Sequence, residues 1–533
     1  MRRPRSIEDP LGAAAAGAAG KRRARPVLCY DSALSVGGLA LGRASRVERP
    51  DRLRGEEMRH YDVIVIGCGP GGERAAIQAA RAGKQVAVIE RQHVLGGTRV
   101  NWGTIPSKTL RESALFVHSL TRNKLEGIRC EIRDEITVHD FMYRERQVVQ
   151  RELELINESL ERYRIEVFVG LARFLDPHTV AVCGPDGGVL TSLAADFVVI
   201  ATGSSPNRPA DVPFDGESVF DSNTILGLPL MPKTMVVLGA GVIGVEFSCM
   251  FAVLGIEVTL IDTREALLPY VDREIVTILE REMARLGIKL LHGDRHAAVE
   301  RIPGDRPRMR CTLRSGTALE ADALLYCVGR DGNTSGIGLE RLGLLPNDYG
   351  LLSVNENYQT AVSHVYAVGD VIGYPALAST SMEQGRQAMR HAFKIPGLDQ
   401  RTETLPFAIY SIPEVSYIGE TEEALKAAGA AYVVGRGDYD MNPRGQIVGD
   451  TGGRLKLLFE AGSMRLVGAH MVGHSASELI HIAQAFLRAG ASAFQIAETP
   501  YNYPTLSDLY RHAALKAVLA VQRRDSGNDA GRG

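Results

Sequence analysis

No two of the seven cysteines in this 533-residue chain have CxxC or zinc-ligand spacing. Cys29, Cys68, Cys130, Cys183, Cys249, Cys311 and Cys327 are scattered, and their number is odd. That argues against a disulfide framework and a metal site, and for reduced, mostly buried thiols in a cytoplasmic protein. Charge of one sign is also missing: the formal net charge is -2, so no bulk field draws the chain to nucleic acid or to an anionic membrane. No apolar run reaches the ~18–20 residues that a membrane span needs. The first 57 residues lack the hydrophobic centre of a secretory signal, and Glu8, Asp9, Asp31 and Glu48 argue against a transit peptide. They are rich in Arg, Ala and Gly, and read as a disordered extension or as translation assigned upstream of a start at Met58.

What is present is ordinary soluble composition, 45% hydrophobic and 23% charged, over a length that calls for more than one domain. Order is expected from Tyr61. Asp62-Val63-Ile64-Val65-Ile66 is a short β-branched run of the kind found in buried parallel strands. It runs into Gly67-Cys68-Gly69-Pro70-Gly71-Gly72 and then a helical pattern. Gly67 permits the tight turn, Gly69 lets backbone approach a pyrophosphate, and Gly72 lets helix and strand pack closely. A second strand, Gln85 to Ile89, ends in Glu90, a carboxylate placed for ribose hydroxyls.

The same arrangement recurs. Met235 to Leu238 leads into Gly239-Ala240-Gly241-Val242-Ile243-Gly244, and Ile256 to Ile261 ends in Asp262. Two such units imply two dinucleotides. Asp262 is expected to hold the 2′-hydroxyl of NAD(H). Arg264 is placed to meet the 2′-phosphate of NADP(H), although a surface role for it is equally open.

Between the two units lies Gly96-Gly97-Thr98-Arg99-Val100-Asn101-Trp102-Gly103-Thr104-Ile105-Pro106-Ser107-Lys108. It resembles the active-site segment of the disulfide-reductase flavoproteins, the family of dihydrolipoamide dehydrogenase, glutathione reductase and mercuric reductase. In that family the segment carries two cysteines that form a redox disulfide beside the flavin. Here Arg99 stands in the first slot and Thr104 in the second, and neither side chain can accept two electrons.

The resemblance implies an α/β fold: two Rossmann-like dinucleotide-binding domains, for FAD and NAD(P), plus a C-terminal α+β dimerisation domain. The expected boundaries are 58–205 and 327–403 for FAD, 206–326 for NAD(P), 404–522 for dimerisation, and a flexible tail over 523–533. Gly67, Gly69, Gly72, Glu90 and the run Arg91, Gln92, His93, Val94, Leu95, Gly96, Gly97, Thr98 and Arg99 are expected to track the FAD. Thr202 and Gly203 close the first FAD half, Gly329 ends the NAD(P) unit, and Asp370 in Val368-Gly369-Asp370 would bind the ribityl chain. Gly239, Gly241, Gly244, Asp262 and Arg264 would hold the nicotinamide dinucleotide. Lys108 would sit near the flavin and pair with Glu246, the two forming the catalytic site. Ser411-Ile412-Pro413-Glu414-Val415 resembles the opening strand of the last domain.

The family's acid–base pair there is a histidine, in His-Pro-Thr, and a glutamate five residues on. Tyr503 occupies the first position and Asp508 the second. Tyrosine, with an ordinary pKa of ~10, is a poor general base at neutral pH. His512, a turn further on, reads as structural. Disulfide and acid–base partner are thus missing together. The cofactor carries hydride chemistry and the protein orients it, so electrons without a protein acceptor can leave by the route they entered. The reaction expected is hydride exchange, NADPH + NAD⁺ ⇌ NADP⁺ + NADH, in ping-pong fashion in a homodimer or higher homo-oligomer. Trp102 to Lys108 and Asn502 to Thr505 resemble the branch of the family that catalyses it. A diaphorase reducing a quinone or dioxygen, and a non-catalytic FAD-binding subunit, remain alternatives.

Overall fold

A computed structural model describes residues 47–48, 58–122, 141–304, 306–396 and 404–529. The reading of residues 1–57 as an extension, and Cys29 and Cys130, fall outside them, except that Val47–Glu48 forms a two-residue strand, β1.

The first unit is a mixed sheet. β2 (Arg59–Ile66), α1 (Pro70–Arg81) and β3 (Val86–Glu90) make the first βαβ turn. α2 (Gly97–Asn101), α3 (Thr104–Arg122) and α4 (Tyr143–Arg162) follow as a helical excursion. β4 (Glu166–Val169) returns to the sheet, and β5 (Leu171–Asp176), β6 (Thr179–Cys183) and β7 (Val189–Ile200) form an antiparallel meander. The order is β1-β4-β3-β2-β7-β6-β5, with β4, β3, β2 and β7 parallel. Val63 to Ile66 of β2 and Val86 to Ile89 of β3 are unbroken apolar runs because both faces of this parallel part of the sheet are covered.

The second unit is a five-stranded parallel sheet made of β8 (Val219–Asp221), β9 (Thr234–Leu238), β10 (Glu257–Ile261), β11 (Lys289–Leu291) and β12 (Ala323–Tyr326). Its order is β11-β10-β9-β12-β8. α5 (Val242–Val253) and α6 (Arg273–Arg285) are its helices. α5 is apolar on every side apart from Glu246 and Ser248, as suits a helix buried all round. Its Val245 and Cys249 share one core with Leu110 of α3 and with Ile409, Val415 and Tyr417 from the far end of the chain. That shared core fixes three parts of the chain around one point.

The chain then rejoins the first sheet through β13 (Val365–Ala367), parallel to β7, and packs α7 (Ala378–Ala392) on α1. Gly385 lets the two helices meet: a Cβ there would lie 2.2 Å from Gly71 O. The last unit is an antiparallel sheet of β14 (Phe407–Ile409), β15 (Val415–Gly419), β16 (Tyr432–Asp438), β17 (Arg454–Glu460) and β18 (Leu466–Val472), ordered β14-β15-β18-β17-β16. α8 (Ala476–Ala489) and α9 (Leu509–Asp529) cover it.

One local expectation changes. Of Ser411 to Val415 only Val415 is in a strand, and Ser411 to Glu414 is the turn between β14 and β15. Pro413 has no N–H to give a ladder, and Ser411 Oγ donates to Pro413 O at 2.6 Å instead.

Candidate active site

The two glycine turns are near-superimposable in their constraints. Gly67 and Gly239 have φ of 99° and 97°, a left-handed conformation that only glycine adopts without strain. A Cβ on Gly72 or on Gly244 would lie 1.9 Å from Gly67 O or Gly239 O respectively, so neither helix could approach its strand with any side chain there. A Cβ on Gly69 or Gly241 would meet nothing within 4 Å: both open onto free space. These two residues are the N-caps of α1 and α5, and no side chain caps either helix. The first N–H groups of both helices therefore face that space without a side-chain acceptor, a ready cradle for phosphate.

At the tip of β3, buried Glu90 accepts from Cys68 N at 2.8 Å and from Gln92 N at 3.0 Å. Burial raises its carboxyl above the ordinary range, against the pull of those two N–H groups. Arg91, His93 and Val94 are exposed and Gln92 is partly so, whereas Leu95 turns into the core. Gly96 N donates to Cys68 O at 3.0 Å, and a Cβ on Gly97 would lie 2.9 Å from Gly69 Cα, so this strap lies against the glycine turn. At the tip of β10, Asp262 accepts from Ala240 N at 2.6 Å and from Arg264 N at 2.8 Å. Arg264 adds Nε and Nη2 bonds of 2.9 and 2.7 Å, one to each carboxylate oxygen. Burial alone would raise Asp262, yet the bonds from Arg264 hold it below the usual carboxylate range.

Across the sheet, the buried Thr202 Oγ1 has no hydrogen-bond partner, and Gly203 (φ 70°) opens onto free space. Asp370 accepts from Ser204 Oγ at 2.9 Å. Arg330 donates Nε to Ser204 Oγ and Nη2 to Ser204 O, both at 2.8 Å. Gly329, the preceding residue, accepts from Asn207 N at 3.2 Å. Burial lowers the Arg330 pKa, countered by the charges of Asp370 and Asp221. The sequence reading places Gly329 and Asp370 here but gives Ser204 and Arg330 no role.

Lys108 and Glu246 come together from 138 residues apart: Nζ lies 2.6 Å from Glu246 Oε2. Pro106 sits in the first turn of α3, where its missing N–H costs nothing, and Lys108 follows on the face toward α5. Glu246 is 4% exposed, the only charge on its helix. Its other oxygen accepts from Tyr410 N at 2.8 Å, a residue that the sequence alone does not single out. Buried Arg111, one turn beyond Lys108, donates to Ser411 O and pairs with Glu414 at 3.0 Å.

The two cysteine slots are filled differently. Thr104 is exposed at the start of α3. Arg99 turns toward α1 and α4, pairing with buried Glu73 at 3.2 Å and with Glu152 at 3.4 Å. The five described cysteines are all free, and none lies between residues 96 and 108. Burial raises every one of their pKa values, Cys311 to about 11 and Cys249 to about 12, so none is a ready thiolate. At the far end, Asp508 is held by Arg511 at 2.7 and 3.0 Å and by His512 at 3.2 Å, while Tyr503 is 79% exposed. No described helix is long and apolar enough to cross a membrane.

Residues 61–385 match the family model described as pyridine nucleotide-disulphide oxidoreductase, and residues 405–514 match the dimerisation domain of the same family. A soluble pyridine nucleotide transhydrogenase of Mycobacterium bovis is 44% identical over 461 residues, 86% of this chain and 98% of that one. A protein of the same name from Chromohalobacter salexigens is 41% identical over 471 residues, 87% of this chain and 99% of that one. Among solved structures, LpdA from Mycobacterium tuberculosis aligns with a TM-score of 0.78 at 28% identity, over 86% of this chain and 99% of that one. The hypochlorite-induced flavoprotein disulfide reductase RclA from Escherichia coli aligns with a TM-score of 0.76 at 26% identity, over 86% and 100%. With two matching glycine turns, a Lys108–Glu246 pair between them and family matches over residues 61–385 and 405–514, this chain belongs to the pyridine nucleotide-disulphide oxidoreductase family.

Proposed function

We propose that this chain is an NAD(P)⁺ transhydrogenase that moves hydride between NADPH and NAD⁺ through FAD, in a ping-pong cycle, and so balances the two nicotinamide pools. The observation that carries this reading is a subtraction. The segment from Gly96 to Lys108 keeps its frame and its lysine and has no sulfur in either slot. Relatives named soluble pyridine nucleotide transhydrogenase support the same conclusion.

The residues present fit FAD at the first turn and a nicotinamide dinucleotide at the second. Each turn offers open space above a glycine and an uncapped helix N-terminus for phosphate. The unpartnered Thr202 Oγ1 is a polar atom in search of a ligand group. FAD, when bound, supplies the two-electron chemistry: it accepts hydride from one nicotinamide and returns it to another.

The protein's part is placement and charge. Lys108 keeps a positive charge where negative charge develops, and Glu246 orients that ammonium from a buried helix. Asp262 accepts ribose hydroxyls from NAD(H), while Arg264 offers a guanidinium to the extra phosphate of NADP(H). Tyr503 and Asp508, the latter paired with Arg511 and His512, do not repeat the family's histidine–glutamate base, and hydride exchange between nicotinamides needs none. Exposed Met441, Ile447, Phe494, Tyr503, Leu515 and Leu519 on the C-terminal unit, which matches the family's dimerisation domain, support a homodimer. The scattered, unpaired cysteines support a place in the cytoplasm.

The test is anaerobic. NADPH is expected to bleach the visible absorbance of the purified yellow protein, and NAD⁺ added next to restore it. Restoration by a quinone but not by NAD⁺ would move the assignment to a diaphorase, and no bleaching at all would end it.

A further inference from the structure

Tyr410 touches both members of the Lys108–Glu246 pair from a third part of the chain. Its backbone N–H donates to Glu246 Oε1 at 2.8 Å. Its ring faces Lys108, with Nζ 4.9 Å from the ring centroid. The same ring lies 6.0 Å from the Arg111 guanidinium.

The loop that carries Tyr410 is itself anchored at both ends of its reach. Arg111 Nε and Nη2 each lie 3.3 Å from Ser411 O. Arg111 also pairs with Glu414 Oε1 at 3.0 Å, and Glu414 Oε2 accepts from Ser477 N at 2.9 Å and Ser477 Oγ at 2.7 Å. Lys108 and Arg111 lie one turn apart on α3, so the helix is gripped twice by one short segment.

A lysine ammonium is a point charge on a flexible four-carbon stem, and a single carboxylate leaves it free to swing. An aromatic face attracts the cation from a second direction and keeps water off that side. We propose that Tyr410 is a positioning residue of the hydride-transfer site: its ring fixes the Lys108 ammonium while its N–H fixes the Glu246 carboxylate. The C-terminal unit thereby forms one wall of the site as well as a surface for pairing two copies. The inference rests on the transhydrogenase reading only in taking Lys108 as the group to be positioned.

The ring faces Lys108 while the hydroxyl meets Ser477, so one variant that removes the ring and one that removes only the hydroxyl separate the two. Full-length FAD-loaded protein is mixed anaerobically with NADPH for the native chain, Tyr410→Leu and Tyr410→Phe. Leucine is expected to slow flavin reduction about tenfold with little change in the NADPH concentration giving half-maximal rate, and phenylalanine to restore it to within about twofold. Acylation of Lys108 by a small amine-reactive reagent, followed by peptide mass spectrometry, is the second readout. It is expected to quicken severalfold in Tyr410→Leu alone. If the leucine protein does not retain FAD, Tyr410→Met, unbranched and of similar reach, takes its place with the same expected pattern. Native-like reduction and labelling in the leucine or methionine protein would overturn the proposal, as would a phenylalanine protein as slow as leucine. Reduction and labelling judge Tyr410 whatever the oxidant, whereas reoxidation of the native protein by NAD⁺ judges the exchange reaction.

Discussion

The two dinucleotide units share a turn and differ in the carboxylate beyond it. In both, the third glycine is pinned at 1.9 Å from the first glycine's carbonyl oxygen and the middle glycine opens onto free space. Yet Glu90 receives only backbone N–H groups, while Asp262 receives a guanidinium on both oxygens. Their proton affinities move in opposite directions accordingly, Glu90 up and Asp262 down. Both carboxylates accept backbone N–H bonds, and Asp262 alone adds an ion pair, with Arg264 two residues away. On the proposed assignment, Glu90 serves the resident FAD, and Asp262 and Arg264 serve the nicotinamide dinucleotide that exchanges.

The sharpest way to break that comparison is to close each turn in turn. Gly72→Ala places a methyl group inside Gly67 O, and Gly244→Ala does the same to Gly239 O. Overpacking of this kind costs about 1–3 kcal/mol or more, concentrated at the cradle. Gly72→Ala is expected to purify colourless. Gly244→Ala is expected to stay yellow and to resist bleaching by NADPH at concentrations that saturate the native protein. Visible spectra decide both, and a yellow Gly72→Ala protein that NADPH bleaches normally would refute the equivalence of the turns.

A smaller effect separates the carboxylates. Arg264→Ala is expected to raise the KM for NADPH about 10- to 100-fold, the worth of a charge-assisted bond, and to change that for NADH by no more than about threefold. Steady-state kinetics with each donor measure it. Equal losses for both donors would show that Arg264 serves Asp262 rather than the phosphate.

The smallest effect concerns how the second unit is held. Asp272 and Glu274, at the start of α6, pair with Lys456, Arg436 and Arg454 of the C-terminal unit, and Glu422 joins Lys456 at 2.6 Å. Despite the opposing effect of burial, the bonds from Arg436 and Lys456 lower Glu274 to about 2, and those from Lys426 and Lys456 lower Glu422 to about 2. A depressed carboxyl contributes stability that is complete above its unfolded value, about 4.3, and is lost as pH falls toward the folded value. The urea midpoint is therefore expected to hold from pH 7 to 5 and to fall between pH 4 and 2. Glu274→Gln should flatten part of that fall, and an unaltered slope would remove Glu274 from the account.

Much of the site could be read from the sequence because it is local there. Strand, glycines, helix, strand and acid lie within about 30 residues, and Asp262 and Arg264 are two residues apart. The Lys108–Glu246 pair, 138 residues apart, was reached through resemblance. What could not be read depends on packing. Nothing near Tyr410 announces that its ring will meet Lys108, because Arg111 draws that loop in from 300 residues away. Arg99 likewise looks like an unexplained replacement until Glu73 and Glu152 are seen from two other helices. Ser411 to Val415 resembles the family's opening strand, yet only Val415 and its successors form one. The proline that ends the preceding turn weighs against extending them.

The tie that Arg99 makes to Glu73 and Glu152 has no oxidation state. A cystine at this turn would open and close with the ambient thiol potential, and its open form would be a bidentate trap for trivalent arsenic. A guanidinium between two carboxylates can be neither reduced nor chelated in that way. The turn should therefore keep its shape through oxidative stress and arsenical poisoning alike.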